Sequence, residues 1–229
     1  MIYSPTASLL EKFSKEPFFK THKAILIGGT ALAYHTNHRI SFDLDVCFPH
    51  AATLPQLTFL ADYTVTVIEF EKFIQDSVIN EGGDIEEYHK RFLVDDIKVD
   101  FMVNTSSNIY ESEILKSDKG IHIGYLQIAS LDTIFKLKAL LLFDRNKIRD
   151  LYDMVYLLKY HNYTMFDYVK TIQEYRITYR YEDILRYVEA KKEDPLDTDY
   201  LAEPKMDLCE YGALRDFLVS ELKGIRQEL

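Results

Sequence analysis

The sequence predicts an α+β chain: a front half that mixes strands with helices, followed by a C-terminal helical bundle. Three observations lead there. Up to about Ala129, short apolar runs of strand length alternate with turn signals. From Ser130 onward, apolar residues recur at helical spacing. The 229 residues include only 8 Gly and 6 Pro, and 47% are hydrophobic, so the chain has material for a core and few breakers. The expected domains are therefore 1–129 and 130–229.

In chain order, the strand-like runs are 24–27, 43–48, 92–94 and 97–103. Gly28-Gly29, Asn37-His38, Gly82-Gly83, Asp95-Asp96 and Lys119-Gly120 supply the turns between and around them. Leu131, Ile134, Phe135, Leu137, Leu141 and Leu142 then open the helical half, with Ser130 and Asp132 available to cap it. Further amphipathic stretches run over 150–160, 165–175, 182–192 and 210–227, and the Pro-containing segment 192–205 reads as a loop. No repeat of solenoid period is present.

Charge and cysteines bound the function. There are 27 Lys+Arg against 37 Asp+Glu, a formal charge of −10, which excludes a general polyanion-binding surface but not a local basic groove. The densest basic stretch is 136–149, where Lys136, Lys138, Arg145, Lys147 and Arg149 face one acid, Asp144. Cys47 and Cys209 make no disulfide framework and no Cys/His metal cluster, which fits a reducing cytoplasm. Residues 1–20 lack a signal-peptide core, and no run approaches the roughly 20 apolar residues of a membrane span. A cytoplasmic protein with no membrane partner is expected.

The chemistry-bearing pattern begins with Ile25-Leu26-Ile27-Gly28-Gly29-Thr30, an apolar strand running into a glycine turn and a helix. Small residues let backbone approach a ligand, and the free N–H groups of the next helix suit phosphate. A plain strand-to-helix turn reads the same residues equally well. Next comes Asp43-Leu44-Asp45. On a strand these carboxylates share a face, roughly 7 Å apart at Cα, and repel unless positive charge stands between them. Magnesium takes hard oxygen ligands and leaves room for phosphate oxygens; a polar strand edge is the plain alternative. Asp100 lies within the apolar run Ile97–Val103. A buried carboxylate needs a partner or a metal. If its strand lies beside 43–48, the three acids can hold two metals. Asp95 and Asp96 fall at a turn and carry no assigned chemistry.

Gly28-Gly29-Thr30-Ala31-Leu32, followed by His38-Arg39-x-Ser41-x-Asp43-x-Asp45, resembles the AbiEii/AbiGii toxin family of nucleotidyltransferases, within the polymerase-β-like superfamily. The later run Lys136-Leu137-Lys138-Ala139-Leu140, with Arg145 and Arg149-Asp150-Leu151-Tyr152-Asp153, resembles that family's downstream motifs. The resemblance implies a polymerase-β-like domain with a mixed sheet before the bundle. It also implies a Mg2+-dependent enzyme using two ions, with Mn2+ as a substitute. Such an enzyme moves NMP from an NTP to an RNA such as tRNA, or to a protein hydroxyl. As the toxin of an abortive-infection or toxin–antitoxin system it would have a cognate antitoxin.

Residue by residue, the resemblance makes Gly28, Gly29 and Thr30 the phosphate-contacting turn, and Asp43, Asp45 and Asp100 the metal ligands. Lys136 would contact the triphosphate. Asp150 and Asp153 would position Lys136 or Arg149 and shape the pocket. Arg39 would face phosphate, or else pair with a neighbouring acid. The departure is Gly-Gly-Thr where many superfamily members have Gly-Ser, so the hydroxyl role falls to Thr30 or to backbone N–H groups. Tyr152, Tyr156, Tyr160, Tyr175, Tyr179 and Tyr187 read as helix packing, and His35, His38, His89 and His122 as ordinary surface or packing residues. The alternative function is a non-catalytic nucleotide-, RNA- or antitoxin-binding module on the same fold. Other Asp-x-Asp enzymes fit less well. A haloacid-dehalogenase-like phosphatase needs four apolar residues before the first Asp, and a glycosyltransferase explains neither the glycines nor the Lys136 to Asp153 region.

Overall fold

The computed structural model describes residues 1–72, 83–104, 109–195 and 200–225. Gly82 of the Gly82-Gly83 turn signal, positions 196–199 of the expected loop and the end of the 210–227 stretch lie outside them. Contacts divide the chain into two units. The first is Met1–Asn37 with Ser41–Leu131, and the second is His38–Ile40 with Asp132–Leu229.

The first unit is built on a mixed seven-stranded sheet. Its strands are β1 (Ile25–Ile27), β2 (Leu44–Phe48), β3 (Val65–Val67), β4 (His89–Val94), β5 (Ile97–Val103), β6 (Ile121–Ile123) and β7 (Leu126–Ile128), in the order β3-β4-β5-β2-β1-β7-β6. The central β2 runs antiparallel to β1 and parallel to β5. β4 and β5 form a hairpin whose turn is Asp95-Asp96, both at positive φ, the conformation a two-residue hairpin loop demands. Helices α1 (Ser4–Ser14), α2 (Pro17–His22), α3 (Gly28–Thr36) and α4 (Ile109–Lys116) accompany the sheet. α3 contacts β1 and β2, and α1 contacts β5.

Apolar alternation on β5 buries Val99, Phe101 and Val103. Phe101 is fully buried among Phe59 at 5.9 Å, Phe13 at 6.2 Å and Phe48 at 6.4 Å between ring centroids. This aromatic knot supports the strand that carries Asp100.

The second unit is helical: α5 (Leu131–Asp144, whose first residue groups with the first unit), α6 (Ile148–Tyr160), α7 (Met165–Tyr175), α8 (Tyr181–Glu189) and α9 (Tyr211–Ile225). α9 contacts α6, α7 and α8. Thr164 and Asp167 form a reciprocal capping box at the start of α7. Tyr152 and Tyr168 are fully buried, consistent with a packing role, and Tyr152 also organises backbone. Its hydroxyl donates to the His38 carbonyl at 3.1 Å and accepts from the Lys205 and Met206 N–H groups at 2.9 and 3.1 Å. Among the described residues, no helix is long and apolar enough to cross a membrane.

Truncating Phe101 to Ala leaves a cavity beneath the Asp100 strand. It is expected to cost about 4 kcal/mol in urea unfolding, the usual range for a buried Phe.

Candidate active site

The glycine turn and the first two acids form one structure. Gly28 sits at φ +73°, and a Cβ built on it would stand 2.0 Å from Asp45 Oδ2. Both facts demand glycine: the conformation is left-handed, and the Asp45 carboxylate fills the space a side chain would take. Gly28 and Gly29 open α3, which has no side-chain cap at its N-terminus. The carboxylate of Asp45 therefore lies where N–H groups and the positive end of the helix dipole favour negative charge.

Thr30 is fully buried. Its hydroxyl donates to the Asp43 carbonyl and shares a hydrogen bond of 2.8 Å with the Ser41 hydroxyl. The hydroxyl thus holds the turn before β2 and ties down the backbone of Asp43.

Register brings in the third acid. Asp45 pairs with Asp100 across the parallel β2/β5 ladder and with Ile27 on its other side. Strands so paired lie about 4.8 Å apart. Asp100 is 3% exposed and surrounded by cations. Its Oδ1 meets His89 Nε2 at 2.6 Å and accepts from Arg91 Nε at 2.8 Å. Lys98 Nζ lies 3.3 Å from Asp100 Oδ2 and 3.6 Å from Asp43 Oδ2. Burial pushes the Asp100 carboxyl up, but the His89 hydrogen bond, Lys98 and Arg91 outweigh it and hold the pKa at about 2. His89 thus packs against the third acid and braces it.

These acids suit a divalent cation in kind. They are hard oxygen donors on adjacent strands, and Asp100 Oδ2 is buried without a directed hydrogen bond. Among the described residues, however, no three acidic, histidine or cysteine side chains already converge as a metal cage. Lys98 occupies the position between Asp43 and Asp100, so a metal there competes with its ammonium for the same oxygens.

The second unit holds a separate buried charge network. Asp153 is fully buried and accepts from Arg39 Nε at 2.8 Å, Arg39 Nη2 at 3.0 Å and His38 Nε2 at 2.8 Å, with Lys138 Nζ at 2.7 Å. Lys138 also donates to Asp150 at 3.0 Å, and Asp150 takes Arg145 Nε at 2.5 Å. Burial opposes ionisation of both acids. Arg39 and Lys138 nevertheless hold Asp153 well below the usual carboxylate range, and Lys138 and Arg145 hold Asp150 at about 2. Burial lowers the His38 pKa despite Asp153.

Arg39 is locked in a two-pronged ion pair with Asp153, the alternative weighed from sequence, though the acid lies 114 residues away. Lys136 pairs with Asp132 one helical turn back, at 2.8 Å, and the lysine that Asp150 and Asp153 position is Lys138. The signal was present in α5. Ile134, Lys138 and Leu142 follow one another at four-residue spacing, so Lys138 falls on the buried stripe and is only 4% exposed. His38, His89, Arg91 and Lys98 were also missed. Lys98 and Asp100 alternate with apolar Val99 along β5, the pattern that places both on one side of the strand.

Gly28→Ala should destabilise the fold by about 1–3 kcal/mol in urea unfolding and displace Asp45, because the added methyl group meets both a left-handed φ and the carboxylate. Acid should weaken the whole protein. Asp100 and Asp150 titrate lower folded than their unfolded value of about 3.9, so their contribution is complete above about pH 5 and is lost as pH falls toward 2. His38, lowered from about 6.5, adds a loss of the same sign beginning below that pH. Unfolding free energy measured from pH 7 to 3 is expected to fall throughout, most steeply below about pH 4; a flat profile would contradict these pairings.

No curated protein matches the chain. A solved structure from H. pylori, a candidate nucleotidyltransferase, is 17% identical over 95% of each chain with a TM-score of 0.49. The family model for the nucleotidyl transferase AbiEii toxin of type IV toxin–antitoxin systems matches residues 9–227. That match takes in the glycine turn, the three acids and the buried Lys138–Asp153 network together, and the chain belongs to the AbiEii nucleotidyltransferase toxin family.

Proposed function

We propose that this protein transfers a nucleoside monophosphate from an NTP to an acceptor hydroxyl, with divalent metal, as the toxin of a toxin–antitoxin pair. The observation that carries this reading is the register of Asp45 against Asp100, with Asp43 two residues before Asp45 and Gly28 closed against the Asp45 carboxylate. Asp43, Asp45 and Asp100 would hold Mg2+, or Mn2+ in its place, which supplies charge neutralisation for the triphosphate and the leaving group. The chain's own residues do the rest. The N–H groups opening α3 bind phosphate oxygens. Thr30 fixes the Asp43 backbone, and Arg91 and His89 keep Asp100 ionised. In the reaction a bond forms between the acceptor oxygen and the α-phosphorus, the bond to the β-phosphate oxygen breaks, pyrophosphate leaves, and the hydroxyl proton passes to solvent.

Lys138 is too buried to present its ammonium freely, so in this reading it orders α6 through Asp150 and Asp153, with Arg145 paired to Asp150 at the exposed edge of that network. An RNA such as tRNA is the favoured acceptor and a protein hydroxyl the other; the family supports a cognate antitoxin as partner. A binding module without turnover draws support from Lys98 standing between two of the acids.

Incubation with α-labelled NTPs, Mg2+ and total RNA should label RNA and release pyrophosphate. Asp43→Ala should reduce labelling by at least a hundredfold. Undiminished labelling in that variant would remove the metal role, while Mg2+-dependent NTP binding by calorimetry without pyrophosphate would favour the binding module.

A further inference from the structure

β1 has two functional ends. Its last residue, Ile27, pairs with Asp45, whereas its first, Ile25, lines a cavity of about 390 Å3 in the first unit. Phe19, Ala24 and Leu115, almost without exposed surface, back this cavity with apolar side chains. Its rim is basic: Lys20 and Lys23 from α2 and its C-cap, Lys116 from the end of α4, His50 beyond β2, and His122 from β6. Tyr125, 40% exposed, stands at the same rim with Lys20 Nζ 5.7 Å from its ring centroid.

In a chain of net charge −10 this concentration of cations is unusual. Among the described residues, Asp118 is the one acid lining the cavity, and its carboxylate is occupied by Gln127 Nε2 at 2.7 Å, the Ser130 hydroxyl at 2.7 Å and the Gly120 N–H at 3.0 Å. Lys116 has Glu113 at 3.1 Å, but Lys20 and Lys23 form no ion pair with a described carboxylate. The volume lies within the range of small-ligand sites, and an apolar lining with a few polar groups at the rim is their usual make-up.

We propose that this cavity is a nucleotide-binding site separate from the three acids: a base lies against Tyr125, and its phosphate meets Lys20, Lys23 and Lys116. An exposed aromatic face beside cations suits a base with its phosphate, since stacking and charge act together. An acidic peptide would use the cations but leave Tyr125 idle. The nucleotide is either one unit of a bound RNA strand or a free nucleotide.

The test uses the full chain without NTP or Mg2+. Fluorescence anisotropy follows a labelled single-stranded RNA hexamer, and calorimetry follows AMP. Lys20→Glu with Lys23→Glu changes two exposed side chains and should weaken binding at least tenfold, lowering the salt slope by about 0.7 for each phosphate that is no longer neutralised. Tyr125→Ala should weaken it about tenfold. Lys170→Glu, an exposed charge reversal in the second unit, should change it less than twofold. Tight hexamer binding with weak AMP binding assigns the site to a strand, and the reverse assigns it to a free nucleotide; either supports the proposal. It is overturned by absence of binding to both, by unchanged binding in the double variant, by an equal weakening in Lys170→Glu, or by equal displacement with oligoglutamate.

Discussion

Asp45 beside Asp100 is the constraint from which the first unit's polar architecture follows. Parallel pairing of β2 with β5 puts two carboxylates on adjacent strands, with Asp43 just ahead of one of them. Such a placement is unfavourable without compensating positive charge. β4 and β5 supply it: Arg91 on β4 stands directly opposite Asp100 and Lys98 on β5 reaches Asp43 and Asp100 together, while His89 on β4 adds a hydrogen-bond partner for Asp100. On the other flank, the missing side chain of Gly28 and the start of α3 accommodate Asp45. The aromatic knot around Phe101 then keeps the strand under Asp100 from moving, so electrostatics and packing fix the same residues.

The second unit solves a related problem more deeply. Asp153 and Asp150 are buried on α6 and share Lys138, while Arg39, His38 and Arg145 complete the balance. Buried ion pairs of this kind seldom add much net stability over apolar packing, yet removing one partner leaves an uncompensated charge at a cost of about 3–5 kcal/mol. Their value lies in specifying one arrangement. The network selects which residues sit against α6, including two, His38 and Arg39, that come from far earlier in the chain.

Much of this was legible beforehand. The strand 97–103 and the helix 165–175 coincide with β5 and α7, because alternating apolar residues and a capping box are local signals. The Asp95-Asp96 turn was legible for the same reason. The three acids stood out because carboxylates within apolar strands are conspicuous. What escaped were partnerships across sequence. Nothing near His38 announces an acid 115 residues on, and nothing near His89 shows that hairpin pairing will deliver it to Asp100. Lys136 and Lys138 illustrate a subtler limit: two positions apart on a helix they point in different directions, and only the spacing of the apolar stripe tells them apart. The basic cavity was invisible because Lys20 and Lys23 on one side and Lys116 on the other lie more than ninety residues apart, and the acids interleaved with them in sequence hide the local excess of positive charge.

The grouping of His38–Ile40 with the helices has a consequence for how this protein can be divided. A boundary drawn near residue 131 looks natural, since strands end there and helices begin. A fragment cut at that point would keep Arg39 and His38 but lose Asp153, stranding a guanidinium and an imidazole four and five residues ahead of Asp43. The catalytic-looking half is thus not a self-sufficient cassette. An exchange of the helical half would have to carry the His38–Ile40 segment with it, so that Arg39 and His38 keep Asp153.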